Sequence, residues 1–227
     1  MARKSRFSFW VCCFSCLCIL TVWLFGREAR AENQPRNFSV SLWAGYYLPN
    51  NPDFKEFYSD DGKAAGFLEF SKTWLGQIEA TMGIGGTGFS SHLLMNDPNA
   101  PGGKSRTTDK ATLALVPGYL QCSCLFHYAR EQKLIPYLGG GLDGWGYLED
   151  KAGHSTKGVK YGYHGLAGVR LLLDWLDPHA AKSSLQEYGV ENTYLVLEAR
   201  WVKIDSFGEN KLDLSGPLYK AGLLWEF

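Results

Sequence analysis

Residues 218–227 read Leu218-Tyr219-Lys220-Ala221-Gly222-Leu223-Leu224-Trp225-Glu226-Phe227. Tyr219, Ala221, Leu223, Trp225 and Phe227 fall on one parity; Lys220, Gly222 and Glu226 fall on the other. Successive side chains of an extended strand point to opposite faces. The stretch therefore predicts a strand with one apolar, aromatic face and one small or charged face.

The pattern repeats back along the chain. Asn192 to Ile204 sets Leu195, Leu197, Ala199 and Trp201 against Glu198 and Arg200, and Tyr161 to Trp175 sets Tyr163, Ala167, Val169, Leu171 and Trp175 against His164, Gly168, Arg170 and Asp174. Ile135 to Leu148 opposes Leu138 and Leu142 to Gly139, Gly141 and Asp143. Lys110 to Tyr128 is longer, and Pro117-Gly118 predicts a bulge where the alternation changes phase. Gln77 to Gly88 sets Ile78, Ala80, Met82 and Ile84 against Glu79, Thr81, Gly83 and Gly85. Gly66 to Trp74 sets Leu68, Phe70 and Trp74 against Glu69, Ser71 and Thr73, and Phe38 to Leu48 completes the set. The count is eight, and several segments reach the ~9–11 residues of a tilted membrane-spanning strand.

Composition agrees. The 227 residues carry 26 glycines and 15% aromatics, a pairing that favours strands and close backbone approach. Basic and acidic residues balance at 23 each, so phosphates are not neutralised in bulk and no nucleic-acid partner is expected. A mean hydropathy of −0.18 excludes a bundle of spanning helices. Past residue 31, no apolar run approaches the roughly eighteen residues such a helix needs.

The first thirty-one residues read as an address. Arg3, Lys4 and Arg6 precede an uncharged run from Phe7 to Phe25, and Ala29-Arg30-Ala31 supplies a small-x-small cleavage site. This predicts a secretory signal peptide over 1–31 and a mature domain over 32–227. Its removal leaves 18 basic against 22 acidic residues. It also takes Cys12, Cys13, Cys16 and Cys18, leaving Cys122 and Cys124, which read as small apolar surface residues rather than a bridge.

The connections alternate in length. Residues 49–65, 89–109, 149–160 and 205–217 are polar and rich in Gly, Asn, Asp and Pro, whereas Leu75-Gly76 and 129–134 are short. Short periplasmic turns alternating with longer outer loops mark an outer-membrane barrel. The exception is 176–191, where Asp177 can cap a short periplasmic helix that starts at Pro178.

A closed barrel of eight strands has a lumen just wide enough for side chains. Glu69, Glu79, Asp143, Arg170, Glu198, Arg200, Lys220 and Glu226 all point into it, and five acids with three bases in so confined a space predict ion pairing. The opposite face offers Trp43 or Tyr46, with Trp74, Tyr163, Trp175, Trp201, Tyr219 and Trp225, as interfacial belts. A soluble sandwich also alternates, but it has no need of aromatics near its strand ends.

Lys220, Gly222, Trp225 and Phe227 form polar-x-Gly-x-x-aromatic-x-aromatic. This resembles the C-terminal signal by which outer-membrane barrels are recognised by their insertion machinery. With the leader and eight strands, residues 38–227 resemble the small barrels of the OmpA, OmpX and OmpW type. The resemblance implies an all-β, eight-stranded antiparallel up-and-down transmembrane barrel in the bacterial outer membrane. It also implies a monomer surrounded by lipid and lipopolysaccharide and handled during assembly by periplasmic chaperones. The link 176–191 departs from the family, and no peptidoglycan-binding domain follows the barrel, so tethering is not implied.

Three functions follow from that resemblance. A structural or surface-interaction barrel with a plugged lumen fits the inward charges best; a narrow channel for small hydrophobic or ionic solutes is the alternative. The third is lipid A modification, which needs a His within reach of a Ser. Ser90, Ser91, His92, His127, His154 and Ser155 are the candidates, and none forms the His-x-Ser pattern, so no enzyme is expected. No Cys/His spacing suits zinc. The glycine runs 83–88 and 139–141 lack the Lys-Ser/Thr of a phosphate loop, so no cofactor is implied.

Overall fold

The period-two pattern is realised as β1 (Phe38–Tyr47), β2 (Lys63–Trp74), β3 (Ile78–Asn96), β4 (Lys104–Leu125), β5 (Leu134–Lys151), β6 (His154–Leu172), β7 (Asn192–Lys203) and β8 (Gly216–Glu226), and the helix α1 (Pro178–Tyr188) precedes β7. The computed structural model describes residues 38–52, 54, 62–96, 104–128, 132–151, 154–206 and 213–227, with backbone alone at 92–96, 104–110, 151 and 154. The expected signal peptide lies outside the described residues. Each strand pairs antiparallel with its neighbours in sequence, and β1 pairs with β8, closing the barrel. Closure leaves no free edge around the wall.

Among the residues whose side chains are described, odd-numbered ones face inward in β1 to β5 and even-numbered ones in β6 to β8. Leu42, Met82, Ile84, Leu120, Leu138, Leu142 and Leu197 form an apolar outer wall, so the burial usual in a soluble fold is inverted. Aromatics bound the wall: Trp74, Trp175, Phe38 and Phe227 stand at the end where β1 begins and β8 terminates, and Tyr46, Trp201 and Tyr219 towards the other. Of the two candidates on β1, Tyr46 faces out, while Trp43 is 6% exposed and points into the lumen.

Two expectations are corrected. Pro117-Gly118 is not a bulge: the β3–β4 and β4–β5 registers run through it unbroken, and the irregularity lies between His92 and Leu94. What changes at Pro117 is the chemistry of the inward face, from Ala111, Leu113 and Leu115 above to Tyr119, Gln121 and Ser123 below. A change in content along one parity looks like a change of parity. The loops after β3 and β5 are also shorter than their polar sequence suggests, because strand continues through 89–96, 104–109, 149–151 and 154–160. Past the apolar wall nothing requires an apolar face, so the pattern fades while the ladder persists.

The turn between β2 and β3 places both Leu75 (φ 54) and Gly76 (φ 68) in the left-handed region, with Gln77 N–H donating to Trp74 O at 3.2 Å. Primed two-residue turns match the twist of the strands they join and favour Asn-Gly; here Leu occupies the first position and is largely exposed. The expected helix is present. The Asp177 carboxylate accepts from His179 N at 3.1 Å and Ala180 N at 3.0 Å, and Gly189 (φ 71) ends it with Val190 N–H donating to Ser184 O.

Candidate functional site

The lumen is stratified. Towards the end opposite that where β8 terminates it is an apolar core of Tyr47, Phe89, Leu113, Leu115, Trp145, Val202, Ile204 and Leu218. Tyr47 packs edge-on against Trp145 at 5.2 Å and donates its hydroxyl to Leu214 O. Phe54 and Leu214, from the links after β1 and β7, fold inward on top, and Phe54 meets Phe89 edge-to-face at 5.0 Å.

Below this cap lie the charges. Glu69 on β2, Glu198 and Arg200 on β7 and Lys220 on β8 form a four-membered cluster. Lys220 Nζ reaches Glu69 Oε1 at 2.6 Å and Glu198 Oε1 at 2.9 Å, and Arg200 Nη2 reaches Glu198 Oε1 at 2.9 Å and Glu69 Oε1 at 3.6 Å. Arg200 also donates to Gln121 Oε1 at 2.6 Å. Arg170 pairs with Glu79 at 2.5 Å, and the Glu79 carboxylate also accepts from Thr73 and Thr81. Asp143 meets His164 Nδ1 at 2.6 Å and accepts from Trp145 Nε1. Glu226 stands apart at the end of β8, accepting from Asn192 Nδ2 at 2.8 Å and Tyr194 at 3.4 Å.

Aromatic rings join these groups. Tyr119 donates to Glu69, lies 4.1 Å beneath the Arg200 guanidinium and meets the His164 ring edge-on. Tyr137 donates to Glu198 at 3.1 Å and faces Arg170 at 5.3 Å. Lys220 sits 4.3 Å from the Trp43 ring. Cations over aromatic faces are favoured most when water is excluded.

The inward glycines make room for the rings. Tyr119 lies directly across from Gly83, and a Cβ there would stand 2.2 Å from the ring; Tyr137 lies across from Gly168 at 2.3 Å. Trp43 with Gly222, Phe67 with Gly85 and Tyr147 with Gly158 repeat the pairing. Sequence reasoning placed the glycines and charges on this face but missed the rings between them and His164 as the partner of Asp143. The signal was available: Trp43, Phe67, Tyr119 and Tyr137 all sit on the parity of the charges.

Of the C-terminal motif, Lys220 and Gly222 are luminal, whereas Trp225 and Phe227 face outward and Phe227 N–H donates to Phe38 O at 2.9 Å. Cys122 and Cys124 lie on the outward parity of β4 and are not joined by a disulfide. Ser91 points inward, His127 lies beyond β4 at the end where β8 terminates, and the side chains of His92 and His154 lie outside the described residues. Among the described residues no three His, Cys, Asp or Glu side chains are grouped to hold a metal ion.

Compared with solved structures, the chain superposes on the outer membrane protein OprG from Pseudomonas aeruginosa with a TM-score of 0.55, covering 84% of this chain and 95% of that one at 12% identity. The fold is that of the small eight-stranded outer-membrane barrels. Neisserial surface protein A covers 84% of this chain and 97% of its own at 13% identity and a TM-score of 0.49. Ail, the attachment invasion locus protein of Yersinia pestis, gives the same coverages at 10% identity and 0.47. In sequence, the chain matches no family model and no curated protein.

Proposed function

We propose that this barrel spans the bacterial outer membrane, is closed to solutes, and has a structural or surface-interaction role. The observation that carries the reading is the filled lumen: an apolar core capped by Phe54 and Leu214 above, and a paired charge cluster below with Arg200 only 1% exposed. A conducting path requires water along its length, and here side chains occupy it. The alternative, a narrow channel, finds no support in this packing.

The place of contact is the outer end. A tilted strand crosses with ~9–11 residues, and β3 to β6 are 18 to 22 residues long. The β2–β3 ladder ends where Ala65 meets Thr87, and the β6–β7 ladder begins where Tyr163 meets Lys203. Beyond those points β3 to β6 continue as a four-stranded sheet, with the β3–β4 hairpin reaching furthest. Lipopolysaccharide lies around its base in this reading, and Lys220, Gly222, Trp225 and Phe227 address the insertion machinery during assembly.

Planar-bilayer recording tests the closed lumen. The folded protein should leave the bilayer quiet; steady, reproducible openings would overturn the reading in favour of a channel. Protease added to intact cells should cut the β3–β4 hairpin while the remaining barrel keeps its heat-dependent gel mobility. Resistance of that hairpin until cells are lysed would reverse the orientation.

A further inference from the structure

α1 is eleven residues long, yet none of its side chains is buried. Isolated helices of this length are marginal in water, and tertiary packing of an apolar face normally supplies their stability. At 100° per residue, Pro178, Ala181, Leu185 and Tyr188 share one face, while His179, Lys182, Ser183, Gln186 and Glu187 occupy the other. Leu185 is 49% exposed and Tyr188 72%. The caps at Asp177 and Gly189 define where the helix begins and ends, but they bury nothing.

The apolar face continues a surface already described. Trp175 and Leu176, just before the helix, are exposed and held in place: Leu176 N–H donates to Leu173 O, Leu173 N–H to Thr193 O, and the Asp174 carboxylate accepts from Thr193 N–H. Lys133 Nζ lies 4.4 Å from the centre of the Trp175 ring, tying this corner to the β4–β5 link, where Tyr128 is exposed, and to the exposed Leu134 that opens β5. Exposed apolar side chains thus extend from Leu134 on β5 through Trp175 and Leu176 to Leu185 and Tyr188 on α1. The polar face carries one lysine and one glutamate, which gives a protein partner no net charge to recognise.

We propose that α1 lies in the phospholipid headgroup region of the leaflet at the end where β8 terminates, with Leu185 and Tyr188 inserted at the acyl boundary. An amphipathic helix of low net charge binds such an interface by its buried apolar area. The proposal rests on the barrel being membrane-spanning.

The test uses the folded protein in nanodiscs of zwitterionic phospholipid, with amide relaxation read by NMR. One titration adds a nitroxide-labelled lipid and another a water-soluble gadolinium chelate. Ala181, Leu185 and Tyr188 should broaden several-fold more than Lys182, Ser183 and Gln186 with the lipid probe, and the order should reverse with the chelate. In the double variant Leu185→Asp/Tyr188→Asp the lipid effect on the helix should vanish, while Leu138 and Leu142 on the barrel wall retain it. Uniform broadening of α1 by the chelate would overturn the proposal. Shielding of α1 from both probes would do the same, in favour of a second copy or another protein. If Leu138 and Leu142 themselves ignore the lipid probe, the membrane-spanning reading fails and the proposal falls with it.

Discussion

Replacing Arg200 with Met tests whether the luminal cluster is a balanced unit. Two acids, Glu69 and Glu198, meet two bases, Arg200 and Lys220, within 3.6 Å or less. Arg200→Met leaves Lys220 as the sole base between two carboxylates and removes the donor at Gln121 Oε1. Met keeps most of the side-chain length, so the cavity contribution is small, and the uncompensated charge dominates. Removing one member of a buried ion pair costs about 3–5 kcal/mol. Adding Glu198→Gln restores neutrality and leaves the Lys220–Glu69 pair at 2.6 Å intact. The double variant should therefore lose less than the sum of the two singles, by about 1–3 kcal/mol. The assay is urea unfolding of the barrel in lipid vesicles, followed by tryptophan fluorescence and by the heat-shifted gel band, with unchanged slope as the check on two-state behaviour. A loss under about 1 kcal/mol for Arg200→Met, the scale of an exposed pair, or strict additivity in the double, would refute the reasoning.

Further predictions use the same assay or a simple fractionation. Gly83→Ala forces the Tyr119 ring off its seat and should cost about 1–3 kcal/mol. Gly165→Ala, which faces outward with nothing within 4 Å of the added carbon, should be neutral or stabilising by up to about 1 kcal/mol; equal effects would refute the ring-over-glycine account. Trp145→Ala, in the apolar cap, should lower stability by about 3–5 kcal/mol, and a midpoint within error of the parent would show that the cap is not tightly packed. Deleting Phe227 should reduce the amount of heat-modifiable barrel in the outer membrane with synthesis unchanged; normal assembly would remove the C-terminal signal assignment.

The parity of the strands was legible because the apolar outer wall and the lumen impose opposite demands on neighbouring residues. Leu138, Leu142, Leu195 and Leu197 could only be outside if Asp143 and Glu198 were inside, and the structure places them so. The helix was legible from local chemistry alone, through Asp177 as acceptor and Pro178 at the first turn. Trp43 was ambiguous because an aromatic ring suits both a lipid interface and a cation, and only the Lys220 ammonium above it decides. The partner of Asp143 was hidden for a different reason: His164 is 21 positions away, and only the barrel's register brings the two together. Strand length beyond the apolar wall left no apolar trace, so the sheet formed there by β3 to β6 could not be read at all.

The distribution of luminal charge along the chain bears on how the barrel is made. Glu69 and Glu79 come from the first strands; Arg170, Arg200 and Lys220 come from the last three. Glu69 and Lys220 are 151 positions apart and Glu79 and Arg170 are 91 apart. An open sheet of the early hairpins would hold its carboxylates without any of these bases, and an unpaired charge away from water is costly. In the membrane-spanning reading, partial insertion is therefore opposed until the late strands arrive. The Glu69–Lys220 pair, which joins β2 to β8, is then a lock engaged when β8 meets β1, so that in the same reading entry into the membrane and closure of the wall become a single step.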